Sequence, residues 1–235
     1  MSAAARLADL AGRWGLSEEQ HAALARVLEV LEQDPLAPSP VSASSVAVDV
    51  HVADSLSALA LDCVANAAAI ADLGAGAGFP GVPLAIALPR ARVALVESVR
   101  RKADFIDRLC ATAGAANAAA VWARAEDWPA GRGAHDLVTA RALAPLAVLC
   151  EYAAPLLVID GSLVAWKGSI GPAEAAAAER AAPLLGLAFD RVVRSEPYPG
   201  SVAHHLHVFR KVAPTPAGFP RRPGVARKRP LGGAA

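Results

Sequence analysis

Apolar residues recur at a helical spacing in the first part of the chain. Four of them would form one face of a helix over residues 17–33: Leu24, Val27, Leu28 and Leu31. Ser17 is a favourable N-cap for that helix, because its hydroxyl can accept a hydrogen bond from a backbone N–H of the first turn. The same spacing predicts helices over residues 3–14 and 48–63. The Pro- and Ser-rich residues 34–45 between them are predicted to form a loop.

From residue 67 onward, short apolar runs alternate with helical segments. Strands are predicted over residues 67–73, 92–97, 118–122, 136–139, 161–166, 188–194 and 203–211. Helices are predicted over residues 82–88, 99–113, 145–157 and 172–185. Because the first five strands alternate with helices and the last two are separated only by a turn-rich segment, the pattern predicts an α/β fold. Its sheet is mostly parallel and seven-stranded, with a C-terminal antiparallel hairpin.

The composition sets broad limits. A chain of 235 residues can bury a full core, and 23 Lys and Arg against 22 Asp and Glu give a net charge of +1. No stretch approaches ~20 apolar residues free of charge and proline, and the N-terminus lacks an apolar signal core, so we expect a cytoplasmic protein without a membrane partner. The three cysteines lack CxxC spacing, which predicts reduced thiols and no metal site.

Acidic residues stop at Glu196, whereas basic residues continue to the end. Those after it are Arg210, Lys211, Arg221, Arg222, Arg227, Lys228 and Arg229. A basic, proline-rich tail is typical of a nucleic-acid contact. The alternative is a solvated, disordered end that keeps the protein soluble.

One segment, IADLGAGAGFPG, carries the clearest chemical information. Gly74, Gly76 and Gly78 follow a buried strand at every second position, and Asp72 stands two residues before the first of them. Such a turn has no side chains in the way, so its backbone N–H groups can approach a ligand. Since it lies at the carboxyl end of a predicted parallel strand, it predicts a site for a nucleotide-like cofactor.

The same glycines also fit a second cofactor class. Gly76, Gly78 and Gly81 complete a GxGxxG motif, and Glu97 follows it at about the spacing of a dinucleotide fingerprint. Three features argue against a dinucleotide. Asp72 precedes the loop, where it would support the turn or face an amine-bearing ligand. Two prolines flank the point where a pyrophosphate-binding helix offers free amides, and, with a closing hairpin and no second large domain expected, little room is left for a hydride-transfer substrate site.

Asp-x-Gly-x-Gly-x-Gly, followed by acids after the next two strands, resembles the pattern of class I S-adenosylmethionine-dependent methyltransferases. The resemblance implies a Rossmann-like sheet with S-adenosylmethionine as the cofactor. It also implies that Glu97 binds the ribose hydroxyls and that Ala125 and Glu126 lie beside the adenine. The alternatives are a surface pairing of Glu97 with Arg100 or Arg101, and a helix-capping role for Glu126.

Several segments together resemble one family within this class, the bacterial 16S ribosomal RNA guanine-N7 methyltransferases. They are HVADSL at residues 51–56, DLGAGAGFPG at 72–81, ES-RK-F at 97–105, RAE at 124–126, TARA at 139–142 and TPAGFPRRPG at 215–224. The family usually carries an Asn-Leu-Thr segment before the first of these. Residues 34–48 depart from it, which affects the N-terminal contribution to RNA docking or cofactor closure.

This family resemblance implies methyl transfer to guanine N7 in the decoding-region loop of 16S ribosomal RNA. The partner would be the RNA or the small ribosomal subunit, with no obligate protein partner. The implied cofactor-binding residues are Gly74, Gly76, Gly78, Phe79, Glu97, Ala125, Glu126 and Arg141. The expected RNA-binding residues are Arg100, Arg101, Lys102, Arg221, Arg222, Arg227, Lys228 and Arg229.

No catalytic acid or base is expected, because guanine N7 has no proton to lose. Arg141 would act by positioning, or alternatively form a structural ion pair with Asp136 or Glu97. Phe79 would stack on a base or close the cofactor pocket, whereas Trp166 would pack in the core. His51, Asp54 and Ser55 would be structural or lie near the cofactor.

The expected organisation is an N-terminal helical extension over residues 1–64, a methyltransferase domain over 65–212 and a basic flexible tail over 213–235. Two other functions remain open from the residues alone. One is a class I methyltransferase that acts on a small molecule or a protein. The other is an NAD-dependent oxidoreductase, or an interaction domain without a cofactor.

Overall fold

The computed structural model describes residues 2–38 and 45–233. Its strands are β1 Ala69–Leu73, β2 Arg92–Glu97, β3 Ala118–Trp122, β4 His135–Arg141, β5 Leu157–Lys167, β6 Leu187–Ser195 and β7 His204–Lys211. Its α-helices are α1 Ala3–Arg13, α2 Glu18–Gln33, α3 Ser45–Ala47, α4 Asp54–Leu56, α5 Asp62–Ala65, α6 Gly81–Ala87, α7 Arg100–Ala113, α8 Leu146–Ala153, α9 Pro172–Leu184 and α10 Val225–Lys228. Further helical turns are Val48–Ala53 (π) and Ser57–Ala60, Ala125–Asp127 and Pro129–Gly131 (3₁₀).

The strands form one seven-stranded sheet in the order β3-β2-β1-β4-β5-β7-β6. Strands β1 to β5 are parallel to one another, whereas β7 runs antiparallel to both β5 and β6. The predicted mixed sheet with a closing hairpin is therefore confirmed. The strand order reverses between β1 and β4, and ligands of open α/β sheets bind at the carboxyl ends of strands beside such a point.

The N-terminal helices share a hydrophobic core with the sheet. Leu10 of α1 and Leu24 of α2 are buried in the same cluster as Val82 and Phe105. Ser17 caps α2 as predicted: its hydroxyl accepts the Gln20 N–H at 3.2 Å, and the Gln20 side chain accepts the Ser17 N–H at 2.8 Å. A second cluster of buried apolar residues fills the space between the other face of the sheet and helices α8 and α9.

The helix predicted over residues 48–63 is broken into several short turns. The hydroxyls of Ser55 and Ser57 donate to the carbonyls of His51 and Asp54 at 2.5 and 2.7 Å. Hydroxyls bonded to the preceding turn bend a helix and compete with its regular ladder. Leu61 then has an extended backbone, which ends the helical segment before α5.

Two other differences have plain causes. The helix predicted over residues 145–157 ends at Ala153, because Pro155 has no N–H with which to continue the hydrogen-bond ladder. Strand β5 therefore begins at Leu157, four residues earlier than predicted. The loop predicted over residues 34–45 is described up to residue 38, and residues 39–44 lie outside the described residues.

The basic tail was expected to be flexible, but its described part packs on the sheet domain. Ala226 of α10 is fully buried, and the Gly232 carbonyl accepts a hydrogen bond from Arg180 at 2.8 Å. Arg221 donates to both oxygens of Glu151. The sequence does not reveal this arrangement, because Glu151 lies on α8, 70 residues before its partner. No helix within the described ranges is long and apolar enough to span a bilayer.

Candidate functional site

The glycine-rich turn after β1 is bonded to the neighbouring strand. The N–H groups of Gly74 and Ala75 donate to the Val96 carbonyl at 2.8 and 3.1 Å, and the Gly76 N–H donates to Glu97 Oε2 at 3.2 Å. Gly74, Gly76 and Gly78 have φ angles of +66°, +59° and +93°. Glycine adopts this left-handed region at little cost, so the turn has the shape that its composition predicts.

Asp72 supports this turn. Its buried Oδ2 accepts the Gly81 N–H at 3.0 Å, and its Oδ1 accepts the Thr139 hydroxyl at 2.8 Å. Burial raises the pKa of Asp72 to about 7, against the effect of these hydrogen bonds and of the Arg141 charge. Of the two roles considered for this carboxyl, supporting the loop is the one found. The alternative of facing an amine-bearing ligand is wrong, since the residue is fully buried.

The start of α6 is poorly suited to a pyrophosphate. The Gly81 N–H already donates to Asp72, and Pro83 lacks an N–H. A Cβ added at Gly81 would meet Leu95 and the Asp72 carboxyl, so this glycine serves close packing of the helix on the sheet. The GxGxxG interpretation therefore lacks the free amides that it needs.

A cavity of about 210 Å³ opens beside the glycine turn and is called here the glycine-loop cavity. Gly74, Ser98, Ala125, Glu126 and Leu143 are among the residues that line it. The predicted residues from the carboxyl ends of β1 and β3 thus meet in one place. They do so because parallel strands end at the same edge of the sheet.

Glu97 ends β2 beside this cavity and is buried. Its Oε1 accepts the Val99 N–H at 2.8 Å, and its Oε2 accepts the Gly76 N–H. The alternative surface pairing is not found: Arg100 instead forms an ion pair with Asp104 at 3.0 Å. Glu97 therefore holds the glycine turn in place, and its contact with the ribose stays a prediction.

The tail forms part of the wall of the glycine-loop cavity. The buried carboxylate of Glu126 accepts the Gly224 N–H at 3.0 Å, and Arg227 donates to the Leu143 carbonyl at 2.8 Å. Both tail residues line the cavity. Glu126 thus contacts the tail at Gly224, the residue that precedes α10, so an acid does lie at a helix start here, although that helix belongs to the tail.

Arg141 ends β4 and forms an ion pair that the sequence analysis did not anticipate. Its guanidinium donates to Asp54 Oδ2 at 2.8 Å and to the Val50 carbonyl at 2.9 Å. The predicted alternative partners are wrong: Asp136 accepts backbone N–H groups at the start of β1, and Glu97 holds the glycine turn. The Arg141 side chain therefore fixes the HVADSL segment against the carboxyl edge of the sheet.

Asp54 links three elements through one residue. Its Oδ1 lies 3.0 Å from His204 Nδ1 on β7, its Oδ2 accepts from Arg141, and its carbonyl accepts the Trp166 indole N–H at 2.9 Å. Trp166 is buried, as expected for a packing role. The segment that contains Asp54 is therefore structural, and it also lies next to the functional edge.

His51, Phe79 and Arg141 form a layered contact. The rings of His51 and Phe79 stack at 4.6 Å with an angle of 14°, and the Arg141 guanidinium lies 5.5 Å from the Phe79 ring centre. Burial, together with the Arg141 charge, lowers the pKa of His51 to about 4. The Asp54 charge acts in the opposite direction, and its effect is smaller. The imidazole is therefore neutral at pH 7. Phe79 is buried in this contact and is not exposed for stacking on an RNA base.

A larger cavity of about 580 Å³ lies at the carboxyl end of β5 and is called here the β5 cavity. Arg141, Ala142, Lys167, Glu174 and His204 are among the residues that line it. Ala142 has φ +53°, and Ala203, which also lines the cavity, has φ +56°. Such backbone strain in residues other than glycine concentrates at functional sites. Since Leu143 lines the glycine-loop cavity, the two cavities lie on either side of a three-residue segment, 141–143.

The structure separates the predicted RNA-binding residues into two groups. Those with exposed or half-exposed side chains and no ion pair to any residue that the structure describes are Arg101, Lys102, Arg222, Lys228 and Arg229. Arg100 is exposed and covers the face of Trp122 at 4.6 Å. Arg221 is held by Glu151 and Arg227 by the Leu143 carbonyl. Ser98, just before α7, and Arg227 of α10 both line the glycine-loop cavity. The basic start of α7 and the basic tail therefore lie next to this cavity.

The residues around the glycine turn fit S-adenosylmethionine. A Cβ at Gly74 would lie 2.6 Å from Leu143 Cδ1, so a side chain there would close the space next to the turn. The Glu97 carboxylate ends β2, and the backbone of Ala125 borders the cavity after β3. A carboxylate at the end of the second strand and a backbone edge after the third are groups that hold a nucleoside in sheets of this kind.

These features define a class I S-adenosylmethionine-dependent methyltransferase. The fold is similar to that of a 16S rRNA (adenine(1408)-N(1))-methyltransferase from Catenulisporales acidiphilia, with a TM-score of 0.52 and 19% identity over 66% of this chain and 90% of that chain. It is also similar to a predicted O-methyltransferase from Agrobacterium tumefaciens, with a TM-score of 0.54 and 24% identity over 68% of this chain and 81% of that chain. At these identities the likeness shows the fold alone.

The sequence comparisons identify the family. The model of the family described as rRNA small subunit methyltransferase G matches residues 41–197, and this chain belongs to that family. A ribosomal RNA small subunit methyltransferase G from Pelotomaculum thermopropionicum is 42% identical over 77% of both chains. One from Chloroflexus aggregans is 39% identical over 93% of this chain and 94% of that protein. The predicted family, its methyltransferase activity and its cofactor are thus confirmed.

Sequence reasoning did not single out Lys167, Glu174 or Tyr152, which line the two cavities. Lys167 follows the same rule as Glu97 and Arg141, since it ends a parallel strand at the carboxyl edge. Glu174 and Tyr152 carry no such signal. An acid in the first turn of a helix and a tyrosine in an apolar helix are common in any fold.

Proposed function

We propose that this protein transfers the methyl group of S-adenosylmethionine to N7 of a guanine in the decoding-region loop of 16S ribosomal RNA. The observation that carries the proposal is that consecutive residues line the two cavities: Arg141 and Ala142 line the β5 cavity, and Leu143 lines the glycine-loop cavity. A cofactor in the glycine-loop cavity and a base in the β5 cavity would approach each other at the carboxyl end of β4. The names of the relatives support ribosomal RNA of the small subunit as the substrate.

The groups at this junction suit an acceptor without a proton. S-adenosylmethionine, when bound, would supply a methyl group on a positively charged sulfur, so that a lone pair attacking the methyl carbon in line forms the new bond while the carbon–sulfur bond breaks and the neutral thioether leaves. Arg141 is permanently charged, and both carboxylate oxygens of Asp54 are already hydrogen-bonded. Guanine N7 needs no general base, so these residues would act by positioning, which can supply ~7–11 kcal/mol of the barrier.

The acceptor base has to leave its stack to enter the β5 cavity, which favours a single-stranded loop of RNA. Arg101 and Lys102 at the start of α7 and Arg222, Lys228 and Arg229 in the tail would bind the flanking phosphates. Such contacts fix the register of the RNA without reading its sequence. The base itself must then be read inside the cavity.

The test is transfer of radiolabelled methyl groups from S-adenosylmethionine to small ribosomal subunits from a strain that lacks this gene. We expect label on one guanine of the decoding-region loop, recovered as N7-methylguanine. Subunits from the parent strain are the matched control and should accept almost no label, since their site is already methylated. Equal labelling of both preparations, or none despite measurable cofactor binding, would contradict the proposal. Naked 16S RNA in the same assay separates the RNA from the assembled subunit as the substrate.

A further inference from the structure

Lys167 and Glu174 form an ion pair in the wall of the β5 cavity. Lys167 ends β5, Glu174 lies in the first turn of α9, and Lys167 Nζ is 2.7 Å from Glu174 Oε1. Their side chains are 18% and 29% exposed, so both reach the cavity while most of each is shielded from solvent. The cavity volume of about 580 Å³ is within the range of small-molecule sites, ~300–1,000 Å³.

Each member of the pair has hydrogen-bonding capacity left for a ligand. The hydrogen bonds described for Glu174 end on Oε1, which accepts from Lys167 and from the Leu146 N–H at 3.1 Å. Oε2 therefore remains as an acceptor. Lys167 donates to that carboxylate and to the Ala144 carbonyl at 3.3 Å, which occupies two of its three N–H groups. The pair thus presents one acceptor and one donor next to each other.

The environment of Glu174 favours its ionised form. Burial by itself would raise the pKa of Glu174, but the hydrogen bonds from Lys167 and the Leu146 N–H outweigh it and hold this pKa below its ordinary value. At neutral pH the Glu174 carboxylate therefore accepts hydrogen bonds and does not donate them. The other charged pair of the cavity has less to offer, because both oxygens of Asp54 are taken by Arg141 and His204.

We infer that Lys167 and Glu174 read the Watson–Crick edge of the target guanine, with Lys167 donating to O6 and Glu174 accepting from N1–H. Guanine presents an acceptor at O6 beside a donor at N1, whereas adenine presents a donor at N6 beside an acceptor at N1. An adjacent ammonium and carboxylate therefore match guanine and oppose adenine at both atoms. This inference rests on the proposed function and adds to it the residues that select the base.

Binding of free nucleotides tests the inference without methyl transfer. Guanosine, inosine and adenosine monophosphates are titrated into the protein saturated with S-adenosylhomocysteine, by calorimetry. We expect the guanosine and inosine nucleotides, which share O6 and N1–H, to bind about 10-fold or more tightly than the adenosine nucleotide, since hydrogen bonds to charged groups are strong. Glu174→Gln should abolish that preference. Glu179→Gln, an exposed change on the same helix, should leave it intact.

Two results would overturn the inference: equal affinity of the wild type for all three nucleotides, including no measurable binding of any, or an unchanged preference in Glu174→Gln. A merely structural ion pair would alter the melting temperature of that variant without altering its base preference. The affinity for S-adenosylhomocysteine should stay constant, because the glycine-loop cavity lies on the other side of residues 141–143.

Methyl transfer to small ribosomal subunits separates the two hypotheses. Glu174→Gln and Lys167→Met should each lower kcat/KM about 10- to 100-fold, and Lys167→Arg should restore part of it by keeping a charged donor. If the wild type is active and the variants are unimpaired, this inference is rejected and the proposed function is retained. An inactive wild type that still prefers the guanosine nucleotide would reject the proposed function instead.

Discussion

Gly74 and Gly133 have nearly the same backbone conformation but very different surroundings. Their φ angles are +66° and +57°, a region in which residues other than glycine are strained. A Cβ at Gly74 would lie 2.6 Å from Leu143 Cδ1, whereas a Cβ at Gly133 would have no atom within 4 Å. The two positions therefore separate backbone strain from the close contact beside the glycine-loop cavity.

Gly74→Ala is predicted to lose cofactor affinity by about 10-fold or more, because Leu143 must move in the wall of the cavity. Both Gly74→Ala and Gly133→Ala should lose about 1–2 kcal/mol of folding free energy from the left-handed backbone. Calorimetric titration with S-adenosylhomocysteine and thermal unfolding measure the two effects. The same cofactor affinity in both variants would show that the contact with Leu143 has no functional weight.

Asp72 makes stability depend on pH. Its pKa is raised from 3.8 to about 7 by burial, so the folded protein keeps a proton there that the unfolded chain releases above pH 4. Stability from this group is therefore lost as pH rises from about 4 to about 7, by up to about 1.4 kcal/mol per pH unit, and is constant above that range.

Asp72→Asn is predicted to remove this slope. The amide can still accept from Gly81 N–H and donate to Thr139, while carrying no charge. The measurement is the free energy of unfolding by urea at pH 5, 6, 7 and 8 for both proteins. The variant should gain relative to the wild type between pH 5 and 7 and then keep a constant difference. A difference that does not change with pH would show that Asp72 has an ordinary pKa in the folded protein.

At the level of elements, the tail and α8 are joined by a charged pair. Arg221 donates through its backbone N–H, Nε and Nη2 to the carboxylate of Glu151, which is fully buried. This contact leads the chain to α10 and brings Gly224 to Glu126 in the wall of the glycine-loop cavity. Arg221 and its neighbour Arg222 are both basic, but only Arg222 has an exposed side chain.

Arg221→Ala is predicted to lower the free energy of unfolding by about 3–5 kcal/mol, because it leaves a buried carboxylate without its partner. Adding Glu151→Gln to that variant should recover part of the loss by removing the charge. Arg222→Ala is the matched control and should change stability by less than about 0.5 kcal/mol. The measurement is the free energy of unfolding by urea for the wild type, Arg221→Ala, Arg222→Ala and the double variant. Equal stabilities of Arg221→Ala and Arg222→Ala would mean that the tail does not depend on this pair.

At the scale of the whole molecule, function is gathered at one edge of the sheet. The glycine turn follows β1, and Glu97, Arg141 and Lys167 are the last residues of β2, β4 and β5. The basic start of α7 borders the same edge. Arg210 lies near the other end of β7, opposite Ser162 of β5, and is therefore at the opposite edge. Net charge alone does not show this division.

RNA affinity is predicted to depend on the location of charge. The double variant Arg101→Ala and Lys102→Ala should reduce the slope of log Kd against log salt by about 1 to 2, as expected for two lost phosphate contacts. The control variant Arg191→Ala and Arg210→Ala removes the same charge from β6 and β7 and should keep the wild-type slope. Filter binding to small-subunit RNA between 50 and 300 mM salt provides the measurement. Equal salt slopes for the two double variants would show that the RNA does not contact the start of α7.

The sequence alone determined the order of the strands along the chain, the class of fold and the cofactor turn. These are local properties: a spacing of apolar residues, a glycine that permits positive φ, or an acid at the end of a strand is set by a few neighbouring residues. Strands β2 and β3 follow their predicted bounds, 92–97 and 118–122, for this reason. The family resemblance rests on the same local motifs and was confirmed by the comparisons.

Only the tertiary structure decided which distant residues meet. Arg141 pairs with Asp54, 87 residues away, and Glu151 holds Arg221, 70 residues away. Neither partner is marked in the sequence, because an ion pair needs only two opposite charges that the fold happens to bring together. The β5 cavity likewise combines β4, β5, β7 and α9, whose approach depends on how the sheet is packed. Local chemistry specifies which groups are available, and packing specifies which of them act together.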